Sequence, residues 1–326
     1  MAGSGSAHLR GDGALLSVED LDVEYHTSRG TLKAVAGISF DVLPGETLGI
    51  VGESGCGKST TGRAVLRLDP IAAGHVRFRG EAIDSASESR MRELRREMQM
   101  IFQDPVSSLN PRRSVKELVT EGLTIAGVPK KERAAQAPDL LSQVGLPSER
   151  FADMLPRQLS GGQAQRVAIG RALAIKPDLL ICDEPVSALD VSVQAQIVNL
   201  LEDLKQSFNL TIVFIAHDLG VVRSISDNVL VMYLGKTCEF GDAVQVYDRP
   251  AHPYTRGLLD SVPAPEVPDG FTGPALGGDI PSPLNPPSGC RFRTRCPVAQ
   301  DLCAAEEPEM REIRPGQYAA CHFPLD

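Results

Sequence analysis

Residues Gly52–Thr60 read "GESGCGKST", a G-x-x-x-x-G-K-[ST] stretch, and they decide how the rest of the chain is read. Glycines at 52, 55 and 57 let the backbone curl until successive N–H groups point inward. When such a loop opens onto a helix N-terminus, both features attract phosphate. Lys58 can then reach the β- and γ-phosphates of a nucleotide, and the Ser59 hydroxyl can ligate Mg²⁺. The motif needs a strand before it and a helix after it, and "TLGIV" and "STTGRAVLRL" supply both. The candidate nucleotide ligands are Gly52, Ser54, Gly55, Cys56, Gly57, Lys58, Ser59 and Thr60.

An acidic partner should close the metal site from another strand. "LLICDEP" gives four apolar residues and then Asp183 and Glu184. Asp183 is expected to hold Mg²⁺ through water, with Glu184 as general base for the attacking water. Mere solubilising charge at a strand end is the bland reading, and the phosphate loop outweighs it.

The chain of 326 residues carries 42% hydrophobic and 23% charged residues, which fits an ordinary globular core. Its net charge of −9 lacks the general footprint of a nucleic-acid binder. The basic run "RMRELRRE" reads as a solvated helix face. "MAGSGSAHLRGDG" has no apolar core and is not a signal peptide. The longest apolar run, "LTIVFIA", is far short of the roughly 18 residues that cross a bilayer. A soluble chain is the expectation.

From Leu15 to about Ile225, buried-strand runs alternate with helical periodicity, which predicts an α/β fold with a mostly parallel sheet. "LLSVEDLDVEY" and "AVAGISFDV" alternate apolar and polar residues, so an N-terminal antiparallel β subdomain precedes it. Between about 106 and 165 strand signals stop and helical spacing predicts a small insertion. From 263 onward the chain holds 12 of its 24 prolines and no lysine, predicting a loop-rich extension. The expected organisation is a flexible N-terminus over 1–13, one domain over 14–262 and the extension over 263–326.

With "LSGGQAQR" at Leu159–Arg166, the sequence resembles the ATP-binding-cassette (ABC) ATPases. The serine hydroxyl and glycine N–H groups at the start of a helix make a second anion site. The resemblance implies a head-to-tail dimer in which Ser160, Gly161, Gly162 and Gln163 of one subunit cap the γ-phosphate held by the other. It also implies that Tyr25 stacks on adenine and that Gln103 in "MIFQDP" senses Mg²⁺ and the attacking water. Asp190 in "SALD" then belongs to the loop that crosses the dimer interface, and His217 in "FIAHD" is the switch histidine.

One cassette and only about 100 residues between Lys58 and Ser160 favour a transporter motor. The alternative is a soluble, non-transport ABC ATPase of the DNA-repair or translation type. "IFQDPVSSLNPR" and "HPYTRGLLDSVP" resemble the peptide/nickel group of importers, with oligopeptide and dipeptide permease ATPases as the nearest likeness. That implies a second, similar ATPase subunit as a heterodimer partner, two membrane permease subunits, and an extracytoplasmic binding protein. It also implies a peripheral position on the cytoplasmic face of the membrane.

Seven cysteines is an odd count; Cys56, Cys182 and Cys238 lie singly, and a reducing compartment is expected. The other four, Cys290, Cys296, Cys303 and Cys321, are spaced C-x5-C-x6-C-x17-C. Disulfides, zinc (with His322 as a substitute ligand), a [4Fe–4S] cluster and free thiols all compete. Zinc would usually show a C-x2–4-C knuckle, and none exists; a cluster tolerates wider spacing. Related peptide importers carry such a cluster, so the resemblance implies [4Fe–4S] in a structural role. Arg291, Arg293 and Arg295 are expected to offset the thiolate charge.

Overall fold

The computed structural model describes residues 6–11, 13–28, 30–261 and 277–326. The expected boundary at 262/263 and residues 1–5 of the expected flexible N-terminus lie outside them. Strands run over β1 (Leu16–Thr27), β2 (Gly30–Val42), β3 (Thr47–Val51), β4 (Ala73–Phe78), β5 (Glu81–Ala82) and β6 (Met98–Ile101). They continue over β7 (Leu179–Asp183), β8 (Thr211–Ile215), β9 (Asn228–Tyr233), β10 (Lys236–Asp242), β11 (Met310–Arg314) and β12 (Gln317–Ala320). The chain divides into two compact units, Met1–Ala86 with Ala216–Asp326, and Ser87–Ile215.

In the first unit, β2-β1-β4-β5 form an antiparallel sheet, as the alternating pattern predicts. Leu16, Val18, Leu21 and Val23 of β1 are all buried, and Leu16 pairs with Val42. A second set runs β11-β12-β10-β9-β3, with β3 parallel to β9. All five residues of β3, TLGIV, are buried, because a parallel strand is covered on both faces. The helix Lys58–Val65 leaves it through the glycine loop. At the N-terminus, His8 is buried against Phe240, and Arg10 bridges Asp41 and Glu46, so residues 8–10 are tied down rather than loose.

In the second unit, β6, β7 and β8 are parallel neighbours, and β7 and β8 are buried throughout. Helices fill the expected insertion. "SVKELVTEGLTIAG", helical in its spacing, forms two short helices, Val115–Val119 and Glu121–Ile125, broken at Thr120. Gly122 explains the close approach there: a Cβ would stand 2.9 Å from Ile175 Cγ2.

The extension contains more regular structure than its prolines suggest. Its short helix Asp301–Ala305 is followed by the hairpin β11–β12, which turns at Pro315-Gly316, with Gly316 at φ 75°. β12 then adds to β10, pairing Ala319 with Glu239 and Tyr318 with Phe240. The "PG" dipeptide between "MREIR" and "QYAA" is the turn signal the sequence carries here.

Candidate functional site

The phosphate loop is built by strand, glycine turn and helix in sequence. Gly52 and Gly57 have φ of 153° and 103°, and a Cβ on Gly57 would lie 2.4 Å from the Ala34 carbonyl oxygen. No other residue fits that approach. Lys58 is only 4% exposed, and its Nζ donates to the carbonyls of Gly52 at 2.7 Å and Glu53 at 3.1 Å. Its ammonium therefore lies inside the curl of the loop. Burial raises the Tyr25 phenol, and the Thr60 and Asp69 side chains lie close enough to its hydroxyl to act on it. This puts the candidate adenine-stacking residue near the end of the loop. His217 follows as an exposed residue just ahead of the helix Leu219–Ile225, which Asp218 caps.

The second unit carries both the acidic and the signature residues. Asp183 ends β7 and is 6% exposed. Glu184 next to it has φ 46°, a left-handed conformation that costs a non-glycine residue about 1–3 kcal/mol. Its N–H donates to the Ile215 carbonyl at 2.9 Å, and its carboxylate accepts from Gln103 Nε2 at 2.9 Å. Strain of this kind turns Glu184 away from the line of the strand.

Ser160 caps the helix Gly161–Leu173 with a reciprocal pair of bonds. Its Oγ accepts from Gln163 N–H at 3.3 Å, and Gln163 Oε1 accepts from Ser160 N–H at 2.9 Å. A Cβ on Gly162 would stand 2.6 Å from Val193 Cγ1, and one on Gly161 3.2 Å from Leu189 Cδ2. The signature turn thus packs on the "SALD" turn, whose Asp190 opens the helix Val191–Phe208.

In the extension, Cys290 N–H donates to the Cys303 carbonyl at 2.8 Å. Burial pushes the Cys290 thiol up to about 11 and Cys321 up to about 12, and neighbouring thiols add to both; for Cys321 those are Cys290, Cys296 and Cys303. The four sulfurs therefore lie within electrostatic reach of one another. Among the described residues, however, no group of three or more His, Cys, Asp or Glu is arranged to hold a metal ion. His322 Nε2 stands 3.0 Å from the Glu306 carbonyl oxygen.

The arginines do not meet the expectation of thiolate neutralisation. Arg291 donates to the Leu234 carbonyl, Arg293 to the Ser288 carbonyl, and Arg295 to the Glu53 carboxylate. Carbonyls and a carboxylate are better acceptors here than thiols whose protonated form burial favours. Glu53 is one of the unspecified positions of the loop motif, and only its distant partner marks it out.

The model of the ABC transporter family matches residues 35–187, and that of the oligopeptide/dipeptide transporter C-terminal region matches 238–303. The oligopeptide transport ATP-binding protein AppF of Bacillus subtilis is 50% identical, over 90% of each chain. The chain belongs to the ABC transporter family. The di/tripeptide transport ATP-binding protein DppF of Pseudomonas aeruginosa is 44% identical over 94% of this chain and 97% of its own. Among solved structures, the ABC cassette MJ0796, a post-hydrolysis dimer bound to ADP and Pi, aligns with a TM-score of 0.65 at 29% identity. It covers 70% of this chain and 98% of its own. The chain is thus an ATP-binding, ATP-hydrolysing subunit with the α/β cassette fold. No described helix is long and apolar enough to cross a membrane.

Proposed function

We propose that this subunit powers the import of oligopeptides or dipeptides through a separate membrane permease, from the cytoplasmic face of the membrane. The observation that carries this reading is the match of residues 238–303 to the oligopeptide/dipeptide transporter C-terminal region, joined to the cassette match over 35–187. The named functions of AppF and DppF support it. No observation favours a DNA-repair or translation role.

In this reading Tyr25 stacks on adenine, and the backbone N–H groups of the loop with Lys58 hold the β- and γ-phosphates. Ser59, Asp183 and Gln103 offer hydroxyl, carboxylate and amide oxygens, the hard donors that Mg²⁺ takes. When bound there, Mg²⁺ supplies charge compensation for the phosphates. Glu184 accepts a proton from the attacking water, the water oxygen bonds to the γ-phosphorus, and the bond to the ADP oxygen breaks. His217 contacts the γ-phosphate. Ser160, Gly161, Gly162 and Gln163 cap that phosphate in the neighbouring subunit, and Asp190 lies at the contact between them. ATP thus favours a closed head-to-tail dimer, and hydrolysis reopens it. A second, similar ATPase is the partner in this heterodimer, with two permease subunits attached and a binding protein delivering the peptide.

Cys290, Cys296, Cys303 and Cys321 hold a [4Fe–4S] cluster in the same reading, with zinc as the alternative. What supports a shared centre is that Cys290, Cys296 and Cys303 all act on the Cys321 thiol, although among the described residues no group of His, Cys, Asp or Glu is arranged to hold a metal ion. The cluster would staple a proline-rich tail that has little core of its own.

Purification of the whole complex tests the transport reading. Two membrane subunits should accompany the chain, and a peptide-loaded binding protein should stimulate ATP hydrolysis. Stable association with ribosomes or DNA instead overturns it.

A further inference from the structure

An ion pair ties the cysteine-bearing tail to the phosphate loop. Arg295 Nη1 and Nη2 donate to Glu53 Oε2 and Oε1 at 2.6 and 2.9 Å, and the Arg295 side chain is 4% exposed. Such a two-bond fork is stronger and more directional than a neutral contact. Both partners are fixed from behind. The Glu53 N–H donates to Tyr254 Oη at 2.9 Å, and its carbonyl accepts from Lys58 Nζ. The Arg295 guanidinium lies 5.7 Å from the centre of the Tyr233 ring, and its Nε donates to the Gly277 carbonyl at 3.1 Å.

The rings beneath complete the connection. Tyr233 and Tyr254 stand 4.7 Å apart, and Phe292 of the tail lies 5.3 and 5.2 Å from them. Tyr254, which holds the Glu53 N–H, and Tyr233, which lies under Arg295, therefore pack on a tail residue between Cys290 and Cys296. A carboxylate in a loop that binds polyphosphate is a liability, since like charges repel strongly where water is scarce. Arg295 cancels that charge and holds the loop at once.

We propose that Arg295 is a positioning residue for nucleotide binding: through Glu53 it holds the phosphate loop in its curled form and removes an opposing negative charge. This rests on Gly52–Thr60 being the triphosphate site. The tail then does more than cover the sheet edge, because its seating sets the affinity of the ATP site.

Equilibrium titration of the full-length chain with Mg-ATP and Mg-ADP, alongside thermal unfolding without nucleotide, tests this. Arg295→Gln should weaken ATP binding about tenfold, a lost charge-assisted fork, and weaken ADP binding less. Adding Glu53→Gln to that variant should bring no further loss, because the two side chains act as one unit. A lower unfolding temperature with unchanged ATP affinity overturns the proposal, as do independent, multiplying losses in the double variant. Lys58→Ala separates the premises. If it still binds ATP like the wild type, the phosphate-loop reading fails and the proposal falls with it. If it loses ATP while Arg295→Gln does not, only the role of Arg295 fails. Should Arg295→Gln not fold, Arg295→Lys keeps the charge without the fork; a smaller loss of ATP affinity supports the proposal, and no loss overturns it.

Discussion

Gln103 Nε2 donates to Glu184 Oε2 at 2.9 Å, across 81 positions of sequence. An amide orients a carboxylate without bringing a counter-charge to it. Together with the left-handed backbone at Glu184, this sets the direction of the group assigned here as the base.

Glu184→Gln keeps the shape and removes the proton acceptor. ATP binding should stay within about twofold of wild type while hydrolysis falls about 10²–10⁴-fold, the usual share of a general base. Sizing in the presence of ATP should then reveal a trapped dimer. Hydrolysis close to wild-type rate would remove Glu184 from that role.

Ser160→Ala removes one half of the reciprocal cap at the signature helix. The loss to stability should be about 1 kcal/mol, seen in denaturant unfolding. ATP-dependent dimerisation should fall far more than this. Equal loss of both would make Ser160 a cap and nothing else.

His252 is wholly buried as the cap of the helix Pro253–Asp260, where its Nδ1 accepts from Tyr254 N–H at 3.0 Å. Burial holds its imidazole down at about 4, from an ordinary 6.5. The unfolded chain therefore takes up a proton between pH 6.5 and 4 that the folded chain refuses. Stability is full above about pH 6.5 and falls as pH drops through that window, by up to about 3 kcal/mol. His252→Asn, which can still cap but does not titrate, should show a shallower acid slope in unfolding temperature. Parallel curves would rule out His252 as a source of the slope.

Anaerobically purified protein should be brown with broad visible absorption, and Cys296→Ser should bleach it. Colourless protein with stoichiometric zinc decides for the alternative metal.

Much of this was legible in the chain itself. "GESGCGKST" and "LLICDEP" each lie within one strand–turn–helix step and "LSGGQAQR" at one capped helix start, so local backbone rules suffice to place their residues. The apolar runs of β3, β7 and β8 announce strands covered on both faces because no polar position interrupts them. The break at Thr120 was hidden, since the periodicity of "SVKELVTEGLTIAG" continues across it while Gly122 packs against Ile175.

The arginines of "CRFRTRC" mark the limit. By sequence alone they flank thiols and are read as their counter-charges. Only the tertiary structure decided that Arg295 belongs to Glu53, 242 positions away, and that Arg291 and Arg293 serve carbonyls. The physical reason is that a motif depends on neighbours along the chain, whereas an ion pair depends on which surfaces the packed core brings together. The sequence determined a nucleotide-binding cassette with a cysteine tail, and the fold alone determined that tail and phosphate loop are joined.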